Sequence, residues 1–372
     1  MIIKDLELVN HRNYSHEVIN FHENTNILIG KNAQGKTNLL EAIYICARGS
    51  SFKSLKEDKI IKFGQKASYL RADILIKDRK RRVEVKLTSD EAKKIRINEI
   101  EIESIQEMKS QFGVVLFSPE ELKIIKETPS IRRKFIDDLI SNNDINYRHL
   151  LNNFNKVRLQ KNQLLKSSKQ TRYFDQMLEA SNQQLINYGA KLAIYRARYI
   201  QILQAFAKEF HKILSSDKEE LTLTYENNFS QSFDDLETIE KNYQELLEEN
   251  KQREKDQYVS LIGPHKDDLR ILINELDSRT YASQGQQRTA MLSLKLAEAK
   301  LIEELTTVKP ILLLDDVFSE LDNQRARLLV EAIKGHQTII TSNQLNNLDT
   351  RQMYGNIYKI QAGKVYRLPE KG

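Results

Sequence analysis

Apolar and charged positions alternate through much of the first hundred residues. In residues 2–9, Leu6 and Leu8 alternate with acids, and residues 69–76, 81–87 and 95–102 follow, with Val83, Val85 and Leu87 two apart. A period of two predicts strands with one buried face. Turns are expected at 78–80 and at Asn98-Glu99, which together give an antiparallel meander. Two runs are almost wholly apolar: residues 26–29, after Asn26, and 112–117. The second reads as a central parallel strand, buried on both faces. The texture changes at Ser118-Pro119-Glu120-Glu121, which offers an N-cap, a proline at the first helical position and a capping-box glutamate. Thr128-Pro129 opens another helix in the same way. From there to about residue 256 the pattern is mostly helical, and residues 176–214 predict one long helix or a helical pair. No heptad is sustained, so no extended coiled coil is expected. Strands return at 258–262 and 269–273, then a helix at 286–305, an apolar run at 311–314, a helix at 322–333 and a strand at 337–341. A hairpin of residues 357–360 and 364–366 turns at Ala362-Gly363. The expected organisation is a discontinuous α/β domain, residues 1–117 and 257–372, with a helical lobe, residues 118–256, inserted between its halves.

One stretch carries specific chemistry. Gly30-Lys31-Asn32-Ala33-Gln34-Gly35-Lys36-Thr37 fits G-x-x-x-x-G-K-[ST] without a mismatch, between an apolar run and residues Leu39, Ala42, Ile43 and Cys46 at helical spacing. The glycines let backbone N–H groups approach phosphate oxygens, and the helix N-terminus adds partial positive charge. Lys36 reaches the outer phosphates, and the Thr37 hydroxyl is a Mg²⁺ ligand. Ile311-Leu312-Leu313-Leu314-Asp315-Asp316 predicts a buried strand delivering acids at its C-terminal end. Asp315 is the expected Mg²⁺ partner, through water, and Asp316 the residue that orients or deprotonates an attacking water. Ser283-Gln284-Gly285-Gln286-Gln287-Arg288 opens the 286–305 helix and forms a second anion site at a helix N-terminus. One nucleotide does not need two phosphate sites, so the second is expected to grip the nucleotide held by another copy in a two-fold dimer.

The totals narrow the class. The chain has 372 residues, 40% hydrophobic and 30% charged, with a net charge of +6 and a sequence pI near 9.0. No run of about eighteen apolar residues predicts a membrane span. Acids at the N-terminus occupy the place of a signal peptide's apolar core, and the single cysteine excludes an internal disulfide, so a cytoplasmic location is expected. Cys46 reads as a buried structural thiol.

In this order the phosphate loop, Ser283–Arg288, the Asp315-Asp316 strand end and Ser319-Glu320-Leu321-Asp322 resemble the ABC-type ATPase heads of the SMC class. Asn10-His11-Arg12-Asn13-Tyr14, the segments 116–122 and 129–137, and Gly263-Pro264-His265-Lys266-Asp267-Asp268-Leu269 resemble its recombination-repair branch over nearly the whole chain. The resemblance implies an SMC-like head with a mixed sheet, an antiparallel β subdomain and a helical second lobe. It also implies ATP and Mg²⁺ as ligands, ATP-dependent dimerisation on DNA, and slow hydrolysis. Two mediator proteins that help load recombinase at gaps are the implied partners, with support of SOS induction. By the resemblance Ser283, Gly285 and Gln286 contact the partner copy's ATP, and Asn32 lies near the phosphates. Arg48 lies there too or is a surface charge. Asp316 stands where most heads carry a glutamate, so its carboxylate reaches less far, and residues 340–343 lack the histidine of transporter subunits. Ser118, rather than Gln111, is nearer the place of the family's Mg²⁺-contacting glutamine.

Clustered bases are the candidate DNA contacts: Arg79 and Arg81, Lys93, Arg132 and Arg133, then Lys156 and Arg158. No base-reading motif is present, so contact without sequence preference is expected. The main rival is the nucleotide-binding subunit of an ABC transporter. A small-molecule kinase would not need the 283–288 and 319–322 motifs, and a nuclease would need a further acidic cluster.

Overall fold

The structure, a computed structural model, describes residues 1–53, 57–167, 173–343 and 354–369. Chain order begins with a hairpin, β1 (Ile2–His11) and β2 (Tyr14–Asn20), followed by β3 (Thr25–Ile29) and α1 (Lys36–Arg48). Gly49, at φ 69°, ends α1 in the left-handed conformation that favours glycine. Next come β4 (Ala67–Ile76), β5 (Arg79–Thr88), β6 (Lys94–Ile97), β7 (Ile100–Glu101), α2 (Ile105–Gln111) and β8 (Val114–Phe117). The middle is α3 (Lys123–Lys126), α4 (Pro129–Asn143), α5 (Ile145–Lys166), α6 (Phe174–Leu214), β9 (Leu221–Glu226), α7 (Leu236–Glu249) and α8 (Lys251–Gln257). The chain closes with β10 (Asp268–Ile273), β11 (Leu276–Asp277), α9 (Gln284–Thr306), β12 (Ile311–Leu314), α10 (Asn323–Ala332), β13 (Thr338–Ser342), β14 (Gly355–Gln361) and β15 (Lys364–Arg367).

Among the described residues the strands form three sheets. One is antiparallel, in the order β2-β1-β4-β5-β6-β7. Its alternation is visible in β4, where every second residue from Ser68 to Ile74 is buried. The second has the order β15-β14-β3-β13-β12-β8 and is parallel except for β15. All four residues of β12 are buried between β13 and β8. The third is a small antiparallel sheet, β11-β10-β9.

The chain divides into two compact units. The first holds 1–122, 210–218 and 292–372; the second holds 123–209 and 219–291. This differs from a lobe ending at 256. Residues 257–291 go with the second unit because β10 pairs along its whole length with β9. The first unit's core joins α1 to both large sheets, through residues such as Leu6, Leu8, Leu28, Leu39, Ile43 and Leu313. In the second, Ile186, Ala190, Tyr243 and Leu247 pack together, with Phe229 stacked on Tyr243 at 4.3 Å between centroids. Residues 176–214 fall in one helix of 41 residues. Among the described residues no helix is long and apolar enough to cross a membrane.

Three expectations about elements are corrected. β8 is parallel, but it is shorter than 112–117 and lies at the edge of its sheet. Burial on both faces made it read as central. Residues 258–262 form no strand. Tyr258 is the left-handed cap of α8, and the backbone N–H groups of Ser260 and Leu261 donate to the side chains of Asn162 (2.7 Å) and Glu254 (2.7 Å) instead of to a neighbouring strand. At Ser118-Pro119 the structure forms a 3₁₀ turn, Pro119–Leu122, before the short α3.

Candidate nucleotide-binding site

The loop 30–35 joins β3 to α1 and is walled by segments far away in sequence. A methyl group on Gly30 would lie 2.4 Å from the Ile360 carbonyl oxygen of β14, so only glycine passes there. Gly35 turns at φ 120°, and its carbonyl accepts a hydrogen bond from the Tyr14 hydroxyl at 3.0 Å. Gln34 points into the scaffold. Its carbonyl accepts from Asn13 Nδ2 (2.8 Å) and the Gly363 N–H (3.1 Å), and its Oε1 from the Ala362 N–H (2.7 Å). Two tight turns, one at each end of the chain, therefore set the loop's shape.

Lys36 donates to the carbonyls of Gly30 (2.5 Å) and Lys31 (3.0 Å) and to Asn343 Oδ1 (2.9 Å). Burial lowers its pKa, opposed by the nearby Asp316 and Asp315. Thr37 Oγ1 donates to Asp315 Oδ1 at 2.8 Å, and Thr341 Oγ1 donates to the same oxygen at 2.9 Å. Burial raises the Asp315 pKa, and the two hydroxyls oppose that shift. A threonine hydroxyl touching a carboxylate is a hard oxygen donor set that fits Mg²⁺, which keeps most of its waters and takes one or two protein ligands. Among the described residues no group of three or more His, Cys, Asp or Glu has the arrangement of a metal site. Asp316 adopts a left-handed backbone, φ 54°, held by its N–H donating to Thr341 Oγ1 at 2.8 Å. Its buried Oδ1 has no hydrogen-bond partner among the described residues.

Asn32, Ala33, Gly35, Lys36, Thr37, Asn38, Lys53, Asp316, Thr341 and Asn343 line one cleft of about 250 Å³. The geometry thus brings together the loop, its lysine and threonine, and both acids. Sequence reasoning missed Lys53, Thr341 and Asn343. Lys53 donates to Asn38 Oδ1 at 3.0 Å, and burial lowers its pKa. Residues 340–343 stood out only for a missing histidine; the useful signal was that this strand ends beside the Asp315 strand.

The Asn10–Tyr14 turn fastens α1. Arg12 forks onto Glu41 at 2.8 and 2.6 Å, and Glu41 is fully buried. Burial pushes the Glu41 carboxyl up, but the Arg12 fork and the Ser51 hydroxyl outweigh it and hold the pKa below its ordinary value. His11 Nε2–H donates to the Asn38 carbonyl at 3.0 Å, and burial lowers the ring's pKa to about 4. Arg48 lies neither by the phosphates nor on the surface. It is buried at the far end of α1 and donates to the carbonyls of Val114 (2.8 Å) and Lys109 (3.2 Å). Ser118 is buried and does not line the cleft.

Ser283, Gly285 and Gln286 lie in the second unit, at the start of α9. Ser283 and Gln286 form a reciprocal capping box: the Gln286 N–H donates to Ser283 Oγ (3.2 Å) and the Ser283 N–H to Gln286 Oε1 (2.8 Å). Gln287 Nε2 donates to the Ser278 carbonyl at 2.9 Å and ties the helix start to the preceding loop.

The basic candidates separate by burial. Arg132 is buried and forks onto Asp268 at 2.7 Å through both Nε and Nη2, so it is not a surface contact. Arg133 donates to the Asp267 carbonyl at 2.5 Å, and burial lowers its pKa. Arg158 is half-buried, with a buried Nε, and burial lowers its pKa too. Lys93 pairs with Glu57. Arg79 and Lys156 are exposed, and Arg81 is half-buried beside Arg79 in a groove with Lys77. The 263–269 motif is held by Arg196, which donates to the Pro264 carbonyl (2.7 Å), Asp267 (2.9 Å) and Asp137 (2.8 Å).

Residues 2–365 match the sequence model of the RecF/RecN/SMC N-terminal domain family. The DNA replication and repair protein RecF of Lachnoclostridium phytofermentans is 42% identical over 373 residues, 100% of both chains. That of Clostridium perfringens is 40% identical over 369 residues, 99% of this chain and 98% of the relative. A solved structure described as the recombination mediator protein RecF with ATP, in the RecFOR pathway, is similar at a TM-score of 0.90 and 35% identity, covering 99% of this chain and 98% of that one.

Proposed function

The chain belongs to the RecF/RecN/SMC family, among its RecF proteins of DNA replication and repair, and on that premise we propose that it is an ATP-switched clamp on DNA. The observation that carries the switch is the contact of Thr37 with Asp315 at 2.8 Å beside a lysine amine already caged by three oxygens. Lys36 and the α1 N-terminus neutralise triphosphate charge. Thr37 and Asp315 would hold Mg²⁺, which when bound would supply positive charge against the triphosphate. Asp316, with a buried oxygen that has no partner among the described residues, orients or deprotonates the attacking water. An aspartate reaches less far than a glutamate, so turnover is slow, and DNA raises it. Ser283, Gly285 and Gln286 of one copy bind the triphosphate held by the loop of its twin. DNA contact is to the backbone, without sequence preference, at gaps and single-strand junctions. RecO and RecR are the partners, recombinase loading and SOS induction are the outcome, and the setting is the cytoplasm.

The transporter reading is not favoured, since relatives matching the chain from end to end at 40–42% identity are DNA replication and repair proteins. Size in solution tests the proposal. Without nucleotide and with ADP the chain should be a monomer, with ATP and Mg²⁺ a dimer. Ser283→Arg should bind ATP and stay monomeric. A dimer indifferent to nucleotide, or a Ser283→Arg variant that still pairs with ATP, would refute it.

A further inference from the structure

Phe63 is fully exposed, at 101% of its reference area. Single exposed apolar side chains are common and mean little by themselves. Three observations set this one apart. First, it is the only phenylalanine among the large exposed apolar side chains of the described residues. The other exposed aromatics, Tyr173, Tyr258, Tyr281, Tyr354 and Tyr366, are tyrosines, whose rings carry a polar hydroxyl. Second, its backbone is pinned. Lys62 to Gln65 form a turn closed by the Gln65 N–H donating to the Lys62 carbonyl at 2.9 Å. Gly64 sits at φ 80° and Phe63 on the negative side, which is a type II turn with glycine at the position that demands it. The Lys62 N–H donates to the Asn10 carbonyl (2.8 Å), the Arg12 N–H to the Ile60 carbonyl (2.8 Å), Ile61 bridges His11, and Lys62 Nζ donates to Ser15 Oγ. Third, residues 59–72 contain Lys59, Lys62, Lys66 and Arg71 and no acid. Arg71 is paired with Glu7 at 3.0 Å, Lys62 Nζ is bonded to Ser15, and Lys59 and Lys66 are exposed, within four residues of Phe63 along the chain.

We propose that the Lys62–Gln65 turn is a single-strand contact, in which Phe63 stacks on an unpaired base while Lys59, Lys62 and Lys66 meet flanking phosphates. The proposal rests on the DNA-binding reading and names a surface for it. A protein partner fits less well. The residues next to Phe63 are Lys62, Gly64, Gln65 and Lys66, too polar for the apolar core of a protein interface. A base needs only one ring face, and a rigid turn loses little freedom when it stacks. The same turn is bonded to the Asn10–Tyr14 segment that grips the phosphate loop, so a base held here lies one hydrogen-bonded turn from the nucleotide cleft.

The test compares a gapped duplex with a blunt duplex of equal length, both titrated with the full chain at several salt concentrations. Phe63→Ala should bind gapped DNA roughly 5- to 150-fold more weakly, the range expected for losing one stacked base, with blunt-duplex affinity unchanged. Phe63→Trp should keep the gapped-DNA affinity, and Phe63→Leu should lose it, because leucine is apolar without a stacking face. Lys62→Gln and Lys66→Gln should each reduce the salt slope by about 0.7, whereas Phe63→Ala leaves it alone. ATP binding by Phe63→Ala, unchanged, shows that the chain is folded. Equal affinity of Phe63→Ala and the native chain for gapped DNA, or full affinity in Phe63→Leu, overturns the assignment and leaves the DNA-binding reading standing. Absence of DNA binding by the native chain overturns both.

Discussion

The Lys36 amine has three oxygen acceptors within 3.0 Å, so its charge is oriented before any phosphate arrives. Lys36→Ala is therefore expected to abolish ATP binding, measured by a fluorescent nucleotide titration, with the fold retained. Asp316→Asn should keep the carboxylate's shape and lose its basicity. ATP-dependent pairing should persist while phosphate release falls at least about a hundredfold, the lower range for removing a general base. Undiminished release would show that Asp316 does not handle the water. Arg12 and Glu41 make a third case. Glu41 is fully buried, so Arg12→Ala would strand a carboxylate, at a cost of about 3–5 kcal/mol in urea unfolding. At this scale the loop, Asp315 and Asp316 were legible because their residue types follow one another in the chain. Lys53, Thr341 and Asn343 were not, because their roles come from where strands end in space. Arg132 and Arg48 misled for the complementary reason: a basic residue looks the same in sequence whether it faces water or a buried acceptor.

Between elements, β14 fits closely against β3. A methyl group on Gly355 would lie 1.8 Å from the Thr25 carbonyl oxygen, which is backbone and has no room to move. Gly355→Ala should unfold at lower denaturant concentration by at least about 2 kcal/mol, and nucleotide affinity should fall with it because β3 leads into the loop. Wild-type stability in that variant would mean that β14 is not a fixed wall. The strands of the antiparallel sheet were readable from their period of two, and the β14–β15 hairpin from Ala362-Gly363. The edge position of β8 was not readable, since burial on both faces says nothing about how many neighbours a strand has. Residues 258–262 looked like a strand because apolarity was visible and the Asn162 and Glu254 side chains that occupy their N–H groups were not.

At the scale of the molecule, acidity should unfold the chain before carboxylate protonation alone would. Burial lowers His11 to about 4 and His265 to about 3, below the ordinary histidine value of about 6.5. The unfolded chain then binds more protons than the folded one between those values, so stability falls as pH drops from about 6.5 towards 3. Each ring accounts for roughly 3–5 kcal/mol. Thermal melts should show the decline starting above pH 5. A flat profile from pH 7 to 5 would mean that the rings are accessible to protons in the fold. The discontinuous first unit was legible because the nucleotide motifs sit in both halves of the chain. Its exact limits were not, since pairing of β9 with β10 assigns 257–291 to the other unit.

β3 runs between β13 and β14, so the strand that carries the phosphate loop has neighbours drawn only from residues 338–361. On the ribosome the loop is made well before both flanking strands, Thr338–Ser342 and Gly355–Gln361. A nascent chain stalled near residue 330 would contain every residue from Gly30 to Thr37 and still lack the frame that shapes them. Newly made copies should therefore be blind to ATP until β13 and β14 have emerged to flank β3.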